Sequence, residues 1–358
     1  MISVIIVNYR SAHLTARAVR SVSEGKGERE VIVIDNTSTA EERVLLHDLM
    51  RPYRVKLVVN DENVGFARAN NQGFSISKGD LIFLLNPDAF VDPSCLTALE
   101  DFIEENPLAG SVSPQVFWDE EMKYLFPHYT YPSPGHDLLA KMSCASESFG
   151  TLYSLAARRE NLRLWRSTLP LEVKNHHGGV VLLRRSSVKE AGGLFDERFF
   201  LFYEDTDLFF RLREKGYRLY TVPAAKAVHN YTHKREKLDI MARTCRLFYE
   251  KHYNRSLLRK ITGLIPQQHP PAGMSLDCGL WSSPLSLSVP SELRDRYLFE
   301  WSPNPLFIPS IGFFGKGDRF VFSGQLWDFL EPGTYYSRIS NPEKDFTSLK
   351  TLCWRKGE

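Results

Sequence analysis

Residues 81–93 read LIFLLNPDAFVDP, an apolar strand running straight into Asn86-Pro87-Asp88. Asp88 would project from the strand's carboxyl end. A hard divalent cation bridging a diphosphate needs such an oxygen ligand. An Asx turn is the competing reading. Residues 192–217 read GGLFDERFFLFYEDTDLFFRLREKGY. Here Phe195, Phe199, Phe200, Phe202 and Tyr203 surround Glu204, Asp205 and Asp207. Aromatic neighbours desolvate a carboxylate and raise its pKa toward that of a useful base. First-turn acids facing a helix dipole would look similar, which suits Asp207; Asp205 is the better base candidate. A third set joins Asp35-Asn36 to Asn63-Val64-Gly65-Phe66-Ala67-Arg68-Ala69-Asn70-Asn71. A carboxylate at a strand end suits a ribose or base edge. A glycine opening a helix lets the backbone approach a ligand, and the helix N-terminus favours anions. Turn and capping residues produce the same pattern. Finally, His229 closes the run AAKAVH. It would make a second ligand for a cation at Asp88, although a lone histidine is more often structural.

These groups need strand ends to hold them. Continuous apolar runs predict buried strands over residues 2–7, 31–34, 55–59 and 81–85. Helical spacing predicts helices over 14–22, with Ser11 as N-cap, and over 41–50, with Thr37, Ser38 or Thr39 to cap it. Further helices are expected over 65–77 and 94–105. This alternation implies a mostly parallel sheet covered by helices, with ligands beyond the strands' carboxyl ends. Asn8-Tyr9, Asp35-Asn36, residues 60–63 and Asn86 to Asp88 stand there. Residues 118–175 read as a long loop or helical insertion over the site, with a helix near 152–165. Then come a strand over 179–183, helices over 186–190 and 205–215, strands over 219–222 and 227–229, and a long helix over 236–252.

Composition turns at IPQQHPPAGM, a proline-rich break that reads as a linker. Two domains are expected, 1–265 and 270–358, the latter a small all-β domain of short aromatic strands. Trp281, Trp301, Trp327 and Trp354 would stack on sugar rings or fill its core.

The 358 residues are 43% hydrophobic and 25% charged, ordinary globular composition. A net charge of +2 gives no electrostatic case for nucleic acid. Five widely spaced cysteines without CxxC spacing point to neither zinc nor a disulfide framework. No basic n-region precedes ISVIIVNY and no apolar run reaches a membrane span, so a cytoplasmic location is expected. Residues 233–261 hold nine basic and three acidic side chains. Such a segment is either a basic amphipathic helix in peripheral contact with the inner face of an anionic membrane or a solvated face.

Together, SVIIVNYR, VIVIDNTS, NVGFARANNQG, LLNPDAFVDP, GLFDERFFLFYEDTDLFFRLREKGY and PAAKAVH resemble the inverting GT-A glycosyltransferases of family 2, which include bacterial rhamnosyltransferases. The resemblance covers about residues 1–250 and implies a Rossmann-like nucleotide-sugar-binding fold. It implies Asn8, Tyr9, Asp35, Asn63, Gly65 and Arg68 around the nucleotide. Asp88 matches the last acid of the family's metal motif, with Asn86 replacing the first. Asp205, beside Glu204, matches the base. His229 matches a further contact to metal or diphosphate, with His233 as a competitor. Gly179 would leave room for the donor sugar, while the paired His176-His177 match no family role. The implied donor is a dTDP- or UDP-sugar, the cofactor Mg²⁺ or Mn²⁺, and the acceptor a glycan or lipid-linked hydroxyl in cell-surface polysaccharide synthesis. A sugar nucleotidyltransferase would show a Gly-rich loop in place of Asn8-Tyr9-Arg10-Ser11. A non-catalytic glycan-binding protein would have no use for Asp88 and Glu204-Asp205.

Overall fold

The computed structural model describes every residue except 26, 38, 231–236, 267–274, 344–349 and 358. Ser38, His233 and most of the proline-rich break lie outside the described residues. The chain divides into two compact units. One comprises Met1–Val116, Tyr129–Tyr131 and Ser167–His252; the other comprises Phe117–His128, Pro132–Arg166 and Tyr253–Glu358.

The first unit opens with β1 (Ile2–Asn8), α1 (Ala12–Ser23), β2 (Arg29–Asp35), α2 (Ala40–Met50), β3 (Val55–Val59), α3 (Phe66–Ile76), β4 (Leu81–Leu85), β5 (Ala89–Val91), α4 (Cys95–Glu105) and β6 (Ala109–Phe117). The chain gives β7 (Tyr124–Leu125), α5 (Pro134–Ala145) and α6 (Glu147–Arg166) to the second unit. It returns with β8 (Leu171–Val173), β9 (Val180–Arg184), α7 (Arg185–Glu190), α8 (Glu204–Glu214), β10 (Arg218–His229) and α9 (Leu238–Tyr253). Strands β3, β2, β1 and β4 are parallel neighbours. The antiparallel β9 follows β4, and β6 pairs with β9.

Helices cover both faces of this sheet. Ile2, Val4 and Ile6 pack with Ala18, Val19 and Leu46 of α1 and α2. Val7, Ile32 and Ile34 face the other way, toward Ala69 of α3. Each buried aliphatic stabilises the fold by about 1.5–3 kcal/mol relative to exposure. The α/β class is as expected, but local details differ. Ser11 does not cap α1 through its side chain; its hydroxyl turns to Asn8 Oδ1 at 3.1 Å. Thr39 at the start of α2 makes no side-chain cap either. The two strands expected over 219–229 are one, because β10 continues through Pro223 to pair with β5.

The second unit adds α10 (Leu257–Leu264), β11 (Ser275–Trp281), β12 (Ser286–Ser288), β13 (Tyr297–Ser302), β14 (Ile311–Gly315), β15 (Arg319–Val321), α11 (Gly324–Phe329), β16 (Gly333–Ser340) and β17 (Thr351–Lys356). Its main sheet runs β11-β17-β16-β13-β14-β7. The expected boundary at residue 265 does not part the units. Trp118 and Tyr124 share one core with Trp301, Trp327 and Trp354. Trp118 stacks on Trp301 at 5.2 Å, and Trp327 on Trp354 at 5.6 Å. Those three tail tryptophans are therefore buried core and not sugar platforms, and the tail is strand-rich, as expected, with the short helix α11 added. Of the two readings of residues 118–175, long loop or helical insertion, the helices α5 and α6 match the second, and α6 contains the helix expected near 152–165. Arg158 of α6 donates from Nε to buried Glu300 at 2.6 Å, and Arg338 binds both Glu300 oxygens at 2.8 Å. Burial opposes the Glu300 charge, but the two guanidiniums outweigh it and hold its carboxyl below the usual range.

Candidate active site

Three consecutive residues, His177, Gly178 and Gly179, tie together the ends of three separate elements. They precede β9, which runs antiparallel to β4 with Val180 opposite Leu85. That register brings the next residue, Asn86, to Gly179, where the Asn86 N–H donates to the Gly179 carbonyl at 2.7 Å. Strand β10 pairs with β5 so that His229 lies opposite Ala89. His229 thereby stands beside Asp88, with Nε2 3.0 Å from Asp88 Oδ1. His229 Nδ1 meets His177 Nε2 at 2.8 Å. The Gly178 N–H donates to Asp205 Oδ2 at 3.1 Å, at the start of α8.

The proton positions along this line are set by a backbone group. The Gly179 N–H donates to His177 Nδ1 at 3.0 Å, so that nitrogen carries a lone pair. Neutral His177 then holds its proton on Nε2 and gives it to His229 Nδ1. With Nδ1 accepting, the His229 proton sits on Nε2, facing Asp88. His229 is fully buried while the Asp88 side chain is 28% exposed. Burial works against the Asp88 charge, but the neighbouring His229 outweighs it and holds the carboxyl below its usual range. Burial pushes His177 well down, which keeps it neutral.

Asp205 is gripped on both oxygens. Thr206 N–H donates to Oδ1 at 2.6 Å, and Gly178 holds Oδ2. A Cβ on Gly178 would run into the Asp205 side chain, so only glycine permits this approach. Burial raises the Asp205 pKa, opposed by these hydrogen bonds. Glu204 is more buried, and its Oε2 has no hydrogen-bond partner among the described residues. Burial first, and the Asp205 charge second, push its carboxyl well up. Phe202 and Tyr203, immediately before, have φ of 69° and 65°. Each left-handed residue costs roughly 1–2 kcal/mol, and the strain lies next to the carboxylate pair. Asp207 is a structural anchor: Arg211, Lys251 and His252 bind it at 2.8, 2.6 and 2.7 Å.

The residues expected around a nucleotide divide into two groups. Asn8 is buried and fully committed inward. Its Nδ2 donates to Asp35 Oδ1 and Thr37 Oγ1, and its Oδ1 accepts from Ser11 and Thr15. It sets Asp35 and has no capacity left for a ligand. Asp35 Oδ2, by contrast, is buried without a hydrogen-bond partner among the described residues, an acceptor open to a hydroxyl. Tyr9, 43% exposed, follows Asn8 at the end of the neighbouring strand β1, with Arg10 over its ring. The Gly65 backbone approach is made to the chain itself. A Cβ there would lie 2.7 Å from the Phe200 ring and 2.9 Å from its carbonyl, and φ is 89°. Phe66 N–H, at the mouth of α3, donates to Phe200 O at 2.7 Å. Asn63 Oδ1 accepts from Gly65 N–H at 3.0 Å, and exposed Arg68 lies 3.9 Å from Glu197. Asn71 clamps both backbone groups of Phe195. Much of the 63–71 motif thus docks α3 against residues 195–200. Gly179 leaves no open space either: a Cβ would meet Asn86 Nδ2 at 2.7 Å and His177 Cε1 at 2.9 Å.

His177 and Gly178 are the residues the sequence reading missed. The available signal was His-His-Gly-Gly directly before a strand, polar side chains next to two residues without Cβ.

The site thus sets strand-end carboxylates of an α/β sheet beside an acid pair that opens a helix. Residues 3–190, a little over half of the chain, match the family described as Glycosyl transferase family 2, and the chain belongs to that family. It is 26% identical over 234 residues to the low-salt glycan biosynthesis hexosyltransferase Agl10 of Haloferax volcanii, covering 64% of this chain and 67% of that protein. It is 27% identical over 251 residues to the N-acetylglucosaminyl-diphospho-decaprenol L-rhamnosyltransferase of Mycobacterium tuberculosis, covering 65% and 77%. Rhamnosyltransferase WbbL of Escherichia coli is 24% identical over 240 residues, covering 65% and 84%. A solved mannosyltransferase of Pyrobaculum calidifontis, in complex with GDP-Man and Mn²⁺, is similar at 19% identity and a TM-score of 0.45, over 65% of this chain and 57% of that one.

Proposed function

We propose that this family 2 glycosyltransferase moves a hexosyl or rhamnosyl group from a dTDP- or UDP-sugar to a hydroxyl of a glycan or lipid-linked acceptor, with inversion, in cell-surface polysaccharide synthesis. The observation that carries the reading is the residue 177–179 bridge, which gathers Asp88 and Asp205, a cation-type carboxylate and a base-type carboxylate, around one turn of backbone. The relatives named for rhamnosyl transfer to a decaprenol-linked sugar support the acceptor class.

Asp205 accepts the proton of the acceptor hydroxyl as that oxygen forms its bond to the anomeric carbon. The bond from that carbon to the diphosphate oxygen breaks on the opposite side, and the nucleoside diphosphate leaves with the electron pair. Asp205 suits this role because burial raises its pKa while two N–H donors fix its direction. Glu204, held neutral beside it, adds no competing charge. Asp35 would receive a ribose hydroxyl at Oδ2, and Tyr9 would cover the base.

Among the described residues no three His, Cys, Asp or Glu side chains converge as a ready cation site. Asp88 alone nevertheless fits Mg²⁺ or Mn²⁺, because such ions take one or two carboxylates when substrate phosphates supply further oxygens. His229 is placed to orient Asp88 by donating to it, and the cation falls to Asp88. When bound, the ion would neutralise charge on the departing diphosphate.

The test is a panel of nucleoside-diphosphate sugars with Mn²⁺, read by thermal shift. A bound donor stabilises the fold by mass action, by about 2.7 kcal/mol at a hundredfold excess over Kd. The anomeric configuration of the transferred sugar, read by NMR, then decides the stereochemistry; a retained configuration overturns direct displacement by Asp205. No thermal shift with any donor removes the transferase assignment of the site.

A further inference from the structure

Helix α10 presents a face that the rest of the described chain leaves uncovered. Leu257, Ile261 and Leu264 are 72%, 46% and 85% exposed. At spacings of four and three residues they form one stripe within a 60° arc of the helix. The helix is not loose. Its other side is anchored by Lys141 of α5, whose Nζ donates to the carbonyls of Thr262 and Ile265 at 2.6 and 3.0 Å. Thr262 is fully buried there, and Ser256 caps the helix by accepting from Arg259 N–H at 3.3 Å. The stripe therefore faces outward by construction of the fold.

The segment that carries the stripe has charge of one sign, and an acid that meets it, Asp137 of α5, pairs with Arg259 at 3.5 Å on the anchored side. No acid occurs between Glu250 and Asp277, while Arg255, Arg259 and Lys260 all do. Arg255 and Lys260 are exposed, and Lys260 borders the stripe. We infer that α10 lies in the surface of an anionic lipid bilayer, with Leu257, Ile261 and Leu264 entering the acyl boundary and Arg255 and Lys260 meeting lipid phosphates. Interfacial helices bind through exactly this sum of apolar area and attraction to anionic headgroups. A second copy of the chain is the poorer occupant, since a symmetric pairing of this face would set basic groups against basic groups. No helix among the described residues is long and apolar enough to cross a membrane, so the contact is a surface one. The contact stands apart from the sugar chemistry and requires no donor, so its failure leaves the proposed reaction untouched.

Co-sedimentation of the full chain with lipid vesicles tests it. Vesicles of phosphatidylcholine with about a third phosphatidylglycerol should carry the protein down, and pure phosphatidylcholine should not. Raising salt should release it in part. The variant L257Q/I261Q/L264Q should lose vesicle binding with an unchanged circular dichroism spectrum. The variant R255E/K260E should weaken binding by at least roughly tenfold, and it keeps the test decisive if the triple variant misfolds. Wild-type protein that stays in the supernatant with anionic vesicles overturns the inference. So does a charge-reversed variant that sediments as well as wild type. A concentration-dependent dimer in sedimentation velocity, abolished by the triple variant, would assign the face to a second copy instead.

Discussion

His177 Nε2 and His229 Nδ1 lie 2.8 Å apart, and the Gly179 N–H on the far side of His177 decides which of them donates. A single backbone amide thus dictates, through two rings, that the atom facing Asp88 is an N–H.

Replacing His177 with Ala removes the group that fixes the His229 tautomer. Partners of this outer kind are typically worth 10–100-fold in activity or metal affinity, so transfer should fall by about that range. Loss should appear in kcat more than in KM for acceptor. The ¹⁵N shifts of His229 should move from one tautomer to a mixture, a change that simple loss of packing does not produce. An unchanged His229 spectrum with normal turnover would show that the two rings are not coupled.

Asp205→Asn should bind donor normally and transfer at least ~10²-fold more slowly, the lower end of general-base assistance. Wild-type kcat/KM should lose activity on the acid side above the ordinary carboxylate range, because burial raises the Asp205 pKa and the base must be ionised. Gly178→Ala should mimic part of the loss, since the new Cβ displaces Asp205. If Asp205→Asn kept a tenth of wild-type turnover, another residue would be the base.

The parallel half of the sheet was readable because β1, β2 and β4 are buried on both faces and their apolar runs are unbroken. Asp88 and Asp205 were readable because each follows a clear strand or opens a clear helix. The 177–179 bridge was not, since its meaning comes from β9 running antiparallel to β4, a pairing between residues nearly a hundred apart. Asn8 and Gly65 look like ligand contacts in sequence, and only the packing reveals that Asp35 and Phe200 use them. The second core was hidden for the same reason, its pieces being Trp118, Tyr124 and the distant tail.

Glu204→Gln should flatten the pH dependence of stability. Burial and the Asp205 charge raise the folded-state pKa of Glu204 well above its unfolded value. In the window between the two values the folded chain holds more protons, so stability falls as pH rises through it. The glutamine cannot ionise and escapes that fall. Thermal unfolding from pH 4 to 8 checks this (roughly the span from an ordinary carboxylate upward). A wild-type Tm that rises across the window, or a mutant that declines as steeply as wild type, would count against a buried, neutral Glu204.

Asp88→Ala should abolish Mn²⁺-dependent binding of nucleoside diphosphate while leaving the circular dichroism spectrum intact. His229→Gln should weaken it by about 10–100-fold, the effect of losing an orienting partner instead of a ligand. Calorimetry with and without Mn²⁺ separates them. Equal and complete loss in both variants would return His229 to the metal's own ligand set.

Truncation after residue 265 should give an insoluble chain. The cut passes through the second compact unit and takes away Trp301, Trp327 and Trp354, leaving Trp118 and Tyr124 without the core they belong to. It also removes Glu300 from Arg158, a guanidinium with a side chain only 1% exposed. Removing one member of a buried pair costs about 3–5 kcal/mol, a large share of the 5–15 kcal/mol that keeps a domain folded. The single change Glu300→Gln isolates the charge part. It should lower stability by a comparable amount, because two guanidiniums lose their counter-ion while the shape of the core is kept. Chemical denaturation of the Glu300→Gln protein measures the loss, and light scattering of the truncated chain reads its aggregation. A soluble, donor-binding truncation would mean that residues 117–166 fold without the tail, and the shared core would then be dispensable.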